Sequence, residues 1–300
     1  MKLSIITATL NCAGTVADCL ASVRGQSHPD IEQIIVDGAS SDQTLEIVYC
    51  STSDCRGINA KNDPNDSLAR VTAIISEPDN GIYDAMNKGI SHATGEVVGI
   101  LNADDYYIDS CVLSKVSAAF EDPATMCCYG DLIYVKESTR GCEPGSAWNR
   151  VKLSEDQQPR TIGLSDRNPG VTLHRYWKAG EFTQRSFYWG WMPPHPAFFV
   201  RRSVYEQFGG FRLDMGSAAD YELMLRLLLK ENLPTVYIPQ LLVAMRAGGA
   251  SNARIVNRLR ANRMDRLAWR VNGLRPLPWT ILLKPLRKLS QWLVKRDLPP

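Results

Sequence analysis

Two adjacent acids, Asp104 and Asp105, follow the apolar run 97–101, and the amide of Asn102 stands just before them. Five apolar or small residues in a row predict a buried strand. Hard divalent cations prefer carboxylate oxygens, and open α/β sheets bind ligands at the carboxyl ends of their strands. The spacing predicts a seat for a cation, against the simpler alternative of a polar turn, where Asp is common.

Two more acids occupy the same kind of position. Asp37 follows the apolar run 31–36, and Asp79 comes shortly after the run 71–76. Carboxylates gathered at one sheet edge would repel one another unless a cation or hydrogen-bond donors lie between them. The recurrence favours a binding site over unrelated turns.

The segments that must position these acids alternate between strand and helix patterns. Strands are predicted at 3–8, 31–36, 71–76 and 97–101, with helical spacing at 15–23, 44–49 and 82–93. This alternation predicts an α/β fold with a Rossmann-like, mostly parallel sheet flanked by helices. The first strand is not followed by GxGxxG or GxxxxGK[ST], which argues against dinucleotide dehydrogenases and P-loop enzymes.

The composition is that of a soluble globular protein, with 300 residues of which 44% are apolar and 22% charged. We expect no signal peptide and no membrane-spanning helix. The eight cysteines form no CxxC pair, so a zinc site is not expected. They are interpreted as reduced cytosolic thiols, with Cys50 and Cys55 as one pair that could form a disulfide.

The charge is uneven, although the net charge is only +2. Residues 251–300 hold twelve Lys or Arg against two acids, and apolar residues recur at helical spacing among them. This pattern predicts a helical basic extension that fits an anionic membrane surface. The alternative is a solvated helix that packs its leucines on the rest of the protein. No recognition fold accompanies the charge, so nucleic acid is not an expected partner.

Seven ordered stretches carry a resemblance to a known family: 4–11 (SIITATLN), 36–42 (VDGASSD), 76–89 (SEPDNGIYDAMNKG), 101–105 (LNADD), 195–202 (HPAFFVRR), 208–211 (FGGF) and 218–223 (AADYEL). Spread over residues 3–245, they resemble family 2 glycosyltransferases, in particular the bacterial enzymes that build cell-surface polysaccharides and glycolipids. The resemblance implies a GT-A fold with a nucleotide-sugar-binding half (1–110), an acceptor-binding half (111–250) and the basic tail (251–300). It also implies a sugar-nucleotide donor, Mg²⁺ or Mn²⁺, and inversion at the anomeric carbon.

The donor-binding residues follow from the resemblance, position by position. Thr7 and Asn11 match the first loop of the donor site. Asp37 matches the acid that recognises the base or ribose, and Asp79 matches a second position in contact with the nucleotide.

The metal-binding residue also follows from the resemblance, with one departure. Asp104 matches the main metal-binding acid of the DxD motif, but the first acid of that motif is Asn102 here. A neutral amide is a weaker cation ligand than a carboxylate. Metal binding is therefore expected to rest on Asp104, and the part played by Asp105 is left open.

Asp220 is the expected general base. An inverting transfer needs a base that takes the proton of the acceptor hydroxyl on the face opposite the leaving nucleotide. Asp220 stands in the first turn of a predicted helix, where the helix dipole favours the ionised form. The same position suits an acid that only stabilises the helix, and Glu222 is the nearest rival.

Three further residues are weaker candidates for contact with the acceptor or a phosphate: His195, Trp191 and Arg202. His195 lies between prolines in an aromatic segment, and Trp191 could stack on a sugar or pack in the core. The stretch 248–252 is expected to form a mobile loop at the mouth of the site.

The leading hypothesis is an inverting, metal-dependent glycosyltransferase with a glycan or lipid-linked acceptor. It would be cytoplasmic and peripheral at the inner face of the cytoplasmic membrane. A nucleotidyltransferase would need a basic phosphate loop near residue 10, which is absent. A catalytically weak or inactive sugar-nucleotide-binding or scaffold protein stays open because of Asn102.

Overall fold

A computed structural model of the chain describes residues 1–52, 71–137, 171–247 and 255–293. The strands are β1 (Leu3–Thr9), β2 (Ile31–Asp37), β3 (Val71–Ser76), β4 (Val97–Ile100), β5 (Asp105–Tyr107), β6 (Cys127–Glu137), β7 (Val171–Trp177), β8 (Phe198–Arg201) and β9 (Thr235–Arg246). The α-helices are α1 (Val16–Arg24), α2 (Thr44–Thr52), α3 (Ile82–His92), α4 (Val112–Ala119), α5 (Gln184–Tyr188), α6 (Arg202–Phe208), α7 (Ala219–Met224), α8 (Ile255–Val271) and α9 (Thr280–Leu293). Short 3₁₀ turns cover His195–Ala197 and Leu213–Ala218, and a π-helical turn, Leu225–Lys230, continues α7.

The strands form one sheet in the order β3-β2-β1-β4-β8-β6-β9-β5, with β7 paired to the outer part of β6. The first four strands are parallel, as the alternating sequence pattern predicts. β8 runs antiparallel to both β4 and β6, whereas β6 and β9 are parallel. The predicted fold class is confirmed, and each of the first four predicted strands differs from the observed one by at most one residue.

The centre of the sheet is covered on both faces. Every residue of β1 and β2 is buried, and apolar side chains pack against the sheet in two large clusters. In β4, a Cβ at Gly99 would collide with the ring of Phe199 in β8, so glycine permits the close approach of these strands. The result is a rigid platform with Thr9, Asp37 and Ser76 in register at its carboxyl edge.

A buried carboxylate, Glu32, stabilises the opposite edge of the sheet. Its oxygens accept hydrogen bonds from Ser4 Oγ (2.5 Å) and Thr94 Oγ1 (2.6 Å), and its Oε2 forms an ion pair with Lys2 (2.6 Å). Burial would raise the pKa of Glu32, but the hydrogen bonds from Lys2, Ser4 and Thr94 bring it to about 2. Glu32 therefore ties the beginnings of β1, β2 and β4 together as an ionised group.

Part of the predicted basic tail packs against the rest of the protein. Trp269 of α8 and Ile281 of α9 belong to the same buried cluster as α7. Lys284 forms an ion pair with Asp265 at 2.9 Å, and its Nζ lies 3.5 Å from the ring centroid of Tyr221 in α7. At these positions the helices of the tail pack on the rest of the protein, which is the alternative that the sequence left open beside a membrane-facing tail.

The cysteines of the described ranges are free thiols. Cys19, Cys127 and Cys128 are fully buried, and burial raises the pKa of each thiol. This agrees with their interpretation as core residues. Cys55, the suggested partner of Cys50, lies outside the described residues. In the parts of the chain that the structure describes, no helix is long and apolar enough to cross a membrane.

Candidate active site

Asp37 lies at the carboxyl end of β2 with no exposed surface, and its hydrogen-bonding capacity is used inside the protein. It accepts hydrogen bonds from Thr9 Oγ1 at 3.0 Å, Ser76 Oγ at 3.0 Å, Ser40 N at 2.9 Å and Ser40 Oγ at 2.5 Å. These donors supply the compensation that a buried carboxylate needs. Asp37 therefore fixes the loops after β1, β2 and β3 relative to one another.

Asn11 lies in the loop after β1, as the resemblance implies. Its backbone is in the left-handed region (φ 49°), and its Oδ1 accepts a hydrogen bond from Ser41 N at 2.8 Å. Its own N–H donates to Ser40 Oγ at 2.9 Å. The exposed loops after β1 and β2 are thereby joined into one surface at the carboxyl edge of the sheet.

Thr7 does not lie in that loop. It is inside β1, fully buried, and its hydroxyl accepts a hydrogen bond from Gln33 Nε2 at 3.1 Å. Cys19 Sγ lies 3.8 Å from the same hydroxyl. The structure thus places Thr7 in the core, where it links β1 to β2 and α1.

Asp79 lies beside the same loops. Its Oδ1 accepts a hydrogen bond from Gly81 N at 2.8 Å, which fixes the start of α3. Its Oδ2 lies where a side chain on Gly38 would be, only 2.5 Å from an ideal Cβ, and Leu10 is 3.5 Å from that Cβ on the other side. Glycine at position 38 therefore permits the close approach of the Asp79 carboxylate to the loop after β2.

Asn102, Asp104 and Asp105 follow β4, but they do not face the same way. Asp105 is fully buried and accepts a hydrogen bond from Asn102 Nδ2 at 3.0 Å. Burial raises the pKa of Asp105 well above its ordinary range, and the adjacent Asp104 carboxylate adds to the shift. Asp105 is therefore a poor candidate for a cation ligand, while Asp104 is half-buried and nearer to solvent.

The donor set after β4 suits a hard cation in its chemistry. Asn102 Oδ1 is buried without a hydrogen-bond partner in the described structure, and Asp104 supplies a carboxylate beside it. Across the described residues, no group of three or more His, Cys, Asp or Glu side chains is arranged to hold a metal. A cation here would draw its other ligands from water and substrate phosphates, as Mg²⁺ commonly does.

Arg246, at the end of β9, fixes the main chain of this turn. Its Nη1 donates to the carbonyl oxygen of Asp104 at 3.1 Å, and its Nη2 forms an ion pair with Asp18 of α1 at 2.5 Å. Arg246 also lies 5.1 Å from the ring centroid of Tyr106. The sequence gives no local signal for this contact, because 142 residues separate Arg246 from Asp104.

Asp220 lies in the first turn of α7, half-buried, with Tyr83 and His195 near its carboxylate. Burial raises the pKa of Tyr83, and Asp220 adds to the shift through its charge. Burial lowers the pKa of His195, and the charge of Asp220 opposes that shift. Phe211 stands between these two groups, with its ring centroid 5.3 Å from Tyr83 and 5.6 Å from His195.

Glu222, the rival of Asp220, has a structural role. It is 1% exposed, and its carboxylate forms two hydrogen bonds of 3.0 Å with Arg226. Arg226 in turn donates to the carbonyl oxygens of Phe208 and Gly210. A carboxylate engaged in this way has no access to an acceptor hydroxyl.

Trp191 and Arg202 lie away from the site, contrary to their candidacy. Trp191 is 5% exposed, packs against Phe182 and Phe187, and donates its indole N–H to Ala179 O at 2.7 Å. Arg202 donates to the carbonyl oxygen of Gly95 at 3.2 Å, before β4 begins. Because β8 is antiparallel to β4, the residue after β8 returns to the edge opposite Asp104.

Tyr134 of β6 connects the turn after β4 with the start of α7. Burial raises its pKa, the neighbouring Arg175 lowers it, and the charges of Asp105 and Asp220 raise it. The charges of both acids therefore reach the same phenol. The stretch 248–252, expected as a loop at the mouth of the site, falls in 248–254, outside the described residues.

Comparison with known proteins identifies the family of the chain. The model of glycosyl transferase family 2 matches residues 4–208. A PGL/p-HBAD biosynthesis glycosyltransferase of Mycobacterium tuberculosis is 29% identical over 252 residues, which cover 83% of this chain and 78% of that protein. An uncharacterized glycosyltransferase of the same organism is 30% identical over 225 residues, which cover 74% of this chain and 67% of that protein.

Solved structures of glycosyltransferases share the fold. S. aureus TarS in complex with UDP-GlcNAc superposes with a TM-score of 0.58 at 17% identity, covering 98% of this chain and 72% of that chain. A mannosyltransferase from Pyrobaculum calidifontis in complex with GDP-Man and Mn²⁺ gives 0.56 at 16% identity, covering 99% and 76%. The fold is the GT-A fold. The family model matches more than two thirds of this chain, so the chain belongs to glycosyl transferase family 2.

Proposed function

We propose that the protein is an inverting glycosyltransferase that moves a sugar from a nucleoside-diphosphate donor to a hydroxyl of a glycan or lipid-linked acceptor. The observation that carries the proposal is the half-buried Asp220 in the first turn of α7, together with the half-buried Asn102 and Asp104 after β4. This arrangement provides a carboxylate base and oxygen ligands for a cation. These are the two groups that an inverting transfer with a diphosphate leaving group requires.

The donor nucleotide would bind at the carboxyl ends of β1, β2 and β3. The joined loops of Asn11 and Ser40 form one wall. The base or ribose would lie beside Asp79 and the exposed Leu10, which both lie next to Gly38. Asp37 holds these loops in place through its buried hydrogen bonds and does not contact the nucleotide itself.

A divalent cation, Mg²⁺ or Mn²⁺, would be held by Asp104 with support from Asn102 Oδ1. Such a cation offsets the negative charge that grows on the leaving diphosphate. Arg246 keeps the main chain of Asp104 in place for this purpose.

The chemical step needs a proton acceptor on the acceptor side. Asp220 takes the proton of the acceptor hydroxyl as its oxygen attacks the anomeric carbon and the bond to the diphosphate breaks. Tyr83 lies at Asp220 and orients the carboxylate. Because burial lowers the pKa of His195, its imidazole is neutral at pH 7. It can therefore donate a hydrogen bond to the acceptor substrate or accept one from it.

The test is a transfer assay over UDP-, GDP- and dTDP-sugars with Mg²⁺ or Mn²⁺, followed by NMR of the product anomer. Asp220→Asn should lower kcat by about 10²-fold or more, the range of general-base catalysis. Asp214→Asn is the matched control, because this exposed acid pairs only with Arg212 nearby. Full activity in Asp220→Asn, or retention of the anomeric configuration, would refute the proposal.

We also propose that the basic tail brings the enzyme to an anionic membrane surface, where a lipid-linked acceptor would be found. Trp279, Leu282 and Leu286 are exposed at helical spacing, and the exposed Trp189 lies 6.1 Å from Trp279 between ring centroids. Exposed tryptophan and leucine beside many basic residues favour the headgroup region of a bilayer. The double variant Trp279→Ser, Leu282→Ser should lose co-sedimentation with phosphatidylglycerol vesicles, whereas the exposed Tyr49→Ser should not.

The alternative, a sugar-nucleotide-binding protein with weak or no catalysis, is favoured by one observation. The amide of Asn102 stands where the resemblance implies an acid. Donor binding without hydrolysis or transfer, under any of the assay conditions above, would support this alternative.

A further inference from the structure

Arg175 of β7 stacks on Tyr134 of β6, and its hydrogen-bond partners among the described residues are incomplete. Its guanidinium carbon is 3.9 Å from the ring centroid of Tyr134, its register partner on β6. Its Nε is buried, and no hydrogen-bond partner for it exists in the described parts of the chain. Arg175 is thus an oriented cation whose donors are not fully used.

The register of the sheet shows where this cation points along the pocket. Asp105, Met245, Tyr134 and Arg175 are successive partners on β5, β9, β6 and β7. Neighbouring strands are about 4.8 Å apart, so this row leads from the turn after β4 to Arg175 across about three strand spacings. The charges of Asp105 and Asp220 both raise the pKa of Tyr134, so the ring that carries Arg175 lies within electrostatic reach of both acids.

A partly buried guanidinium is costly unless an anion or acceptor completes its hydrogen bonds. Its planar fork matches the paired oxygens of a phosphate or carboxylate. Stacking on an aromatic ring holds that fork in one orientation before a ligand arrives. The chain supplies the ring but leaves donors open, which is the arrangement of an anion-binding residue.

We propose that Arg175, oriented by Tyr134, binds a phosphate group of a substrate in the catalytic pocket. The phosphate comes either from the diphosphate of the donor or from a phosphorylated acceptor. The proposal rests on the proposed function only in calling this pocket the place where the substrates meet. The proposal adds Arg175, a positively charged binding residue that lies outside the sequence motifs.

The test is isothermal titration of the full chain with UDP, GDP and dTDP in the presence of Mg²⁺, and separately with phenyl phosphate as a minimal phosphate ester. The variants are Arg175→Gln, Arg175→Lys and Tyr134→Phe. Arg24→Gln is the matched control, since it removes the same charge from the exposed end of α1. Thermal unfolding of each variant shows whether it is folded.

Arg175→Gln should weaken the binding of at least one of these phosphates by about tenfold to hundredfold, as expected for a lost charge-assisted pair. Arg175→Lys should recover part of the affinity, and Tyr134→Phe should retain most of it because the ring remains. Weaker nucleotide binding identifies the donor diphosphate as the source, and weaker binding of phenyl phosphate alone identifies the acceptor.

Equal affinities for all probes in the wild type and in folded Arg175→Gln would overturn the proposal, as would a wild type that binds none of them. If Arg175→Gln fails to fold, the affinities of wild type and Arg175→Lys are compared instead, and equal affinities for all probes would again overturn the proposal. These outcomes are separate from the general base. Normal phosphate binding with inactive transfer in Asp220→Asn leaves the proposed function standing even where the role of Arg175 fails.

Discussion

The indole of Trp269 in α8 donates a hydrogen bond of 3.0 Å to the hydroxyl of Tyr221, the residue that follows Asp220. Both side chains are buried. Asn272, the residue that follows α8, donates through its Nδ2 to Glu222 Oε1 at 3.2 Å. A helix from the basic tail therefore holds the helix that carries the proposed base.

Trp269→Phe removes this hydrogen-bond donor and keeps most of the apolar volume. We expect a loss of about 1–2 kcal/mol in the free energy of unfolding, because the buried Tyr221 hydroxyl loses its partner. Urea denaturation gives the value. Trp279→Phe, at an exposed tryptophan of the same segment, should change stability by less than about 0.5 kcal/mol. Equal effects of the two changes would contradict the role of the buried contact.

Glu32 predicts acid sensitivity of the sheet. Its pKa is about 2 in the folded protein against an ordinary value of 4.5, so the unfolded chain binds the proton more readily. The stabilisation is therefore complete above pH 4.5 and is lost as the pH falls from 4.5 towards 2, at a cost of about 3 kcal/mol.

Glu32→Gln should remove that part of the pH dependence and lower stability at pH 7, measured by denaturation between pH 2 and 7. Glu206→Gln, on an exposed helical pair with Arg202, is the control and should change little. A Glu32→Gln chain with the wild-type acid profile would show that another group is responsible.

Asn102→Asp restores the acid that the DxD motif carries. A third carboxylate beside Asp104 and Asp105 should lower the stability of the metal-free protein through like-charge repulsion. With Mn²⁺ the same charge should tighten cation binding by about tenfold or more. In a titration with Mn²⁺, electron paramagnetic resonance measures the concentration of the free ion directly. Unchanged Mn²⁺ affinity would show that Asn102 does not face the cation.

Gly38→Ala tests the nucleotide position. The new methyl group would lie 2.5 Å from Asp79 Oδ2 and displace that carboxylate, so nucleotide binding should weaken by about tenfold. Gly14→Ala is the matched control, because a Cβ at that position meets no atom within 4 Å. Titration with nucleoside diphosphates compares the two. Equal affinities would move the nucleotide away from β2 and β3.

Local pattern alone was enough for the first half of the fold. The alternation of apolar strands with helical spacing predicted β1 to β4 within one residue, because strand and helix periods are read from neighbours in the chain. The end of an apolar run also marked the carboxyl edge where Asp37, Asp79 and Asp104 lie. The resemblance added Asp220, and the rejection of Glu222 required its contact with Arg226.

Other assignments depended on contacts between distant residues. Trp191 and Thr7 have the residue types of a sugar or donor site, yet the packing of the sheet buries both. Arg202 follows a strand whose antiparallel direction carries it to the wrong edge. Strand direction and burial are set by pairing across the whole sheet, which no local window contains.

By itself, the sequence determined the class of fold, the sheet edge where Asp37, Asp79 and Asp104 lie, and the residue types available there. Only the tertiary structure decided that Asp105 turns inward, that Arg246 supports Asp104, and that Arg175 stands over Tyr134. The physical reason is the same in each case. Burial, charge compensation and cross-strand register join residues that are up to 228 positions apart in the chain.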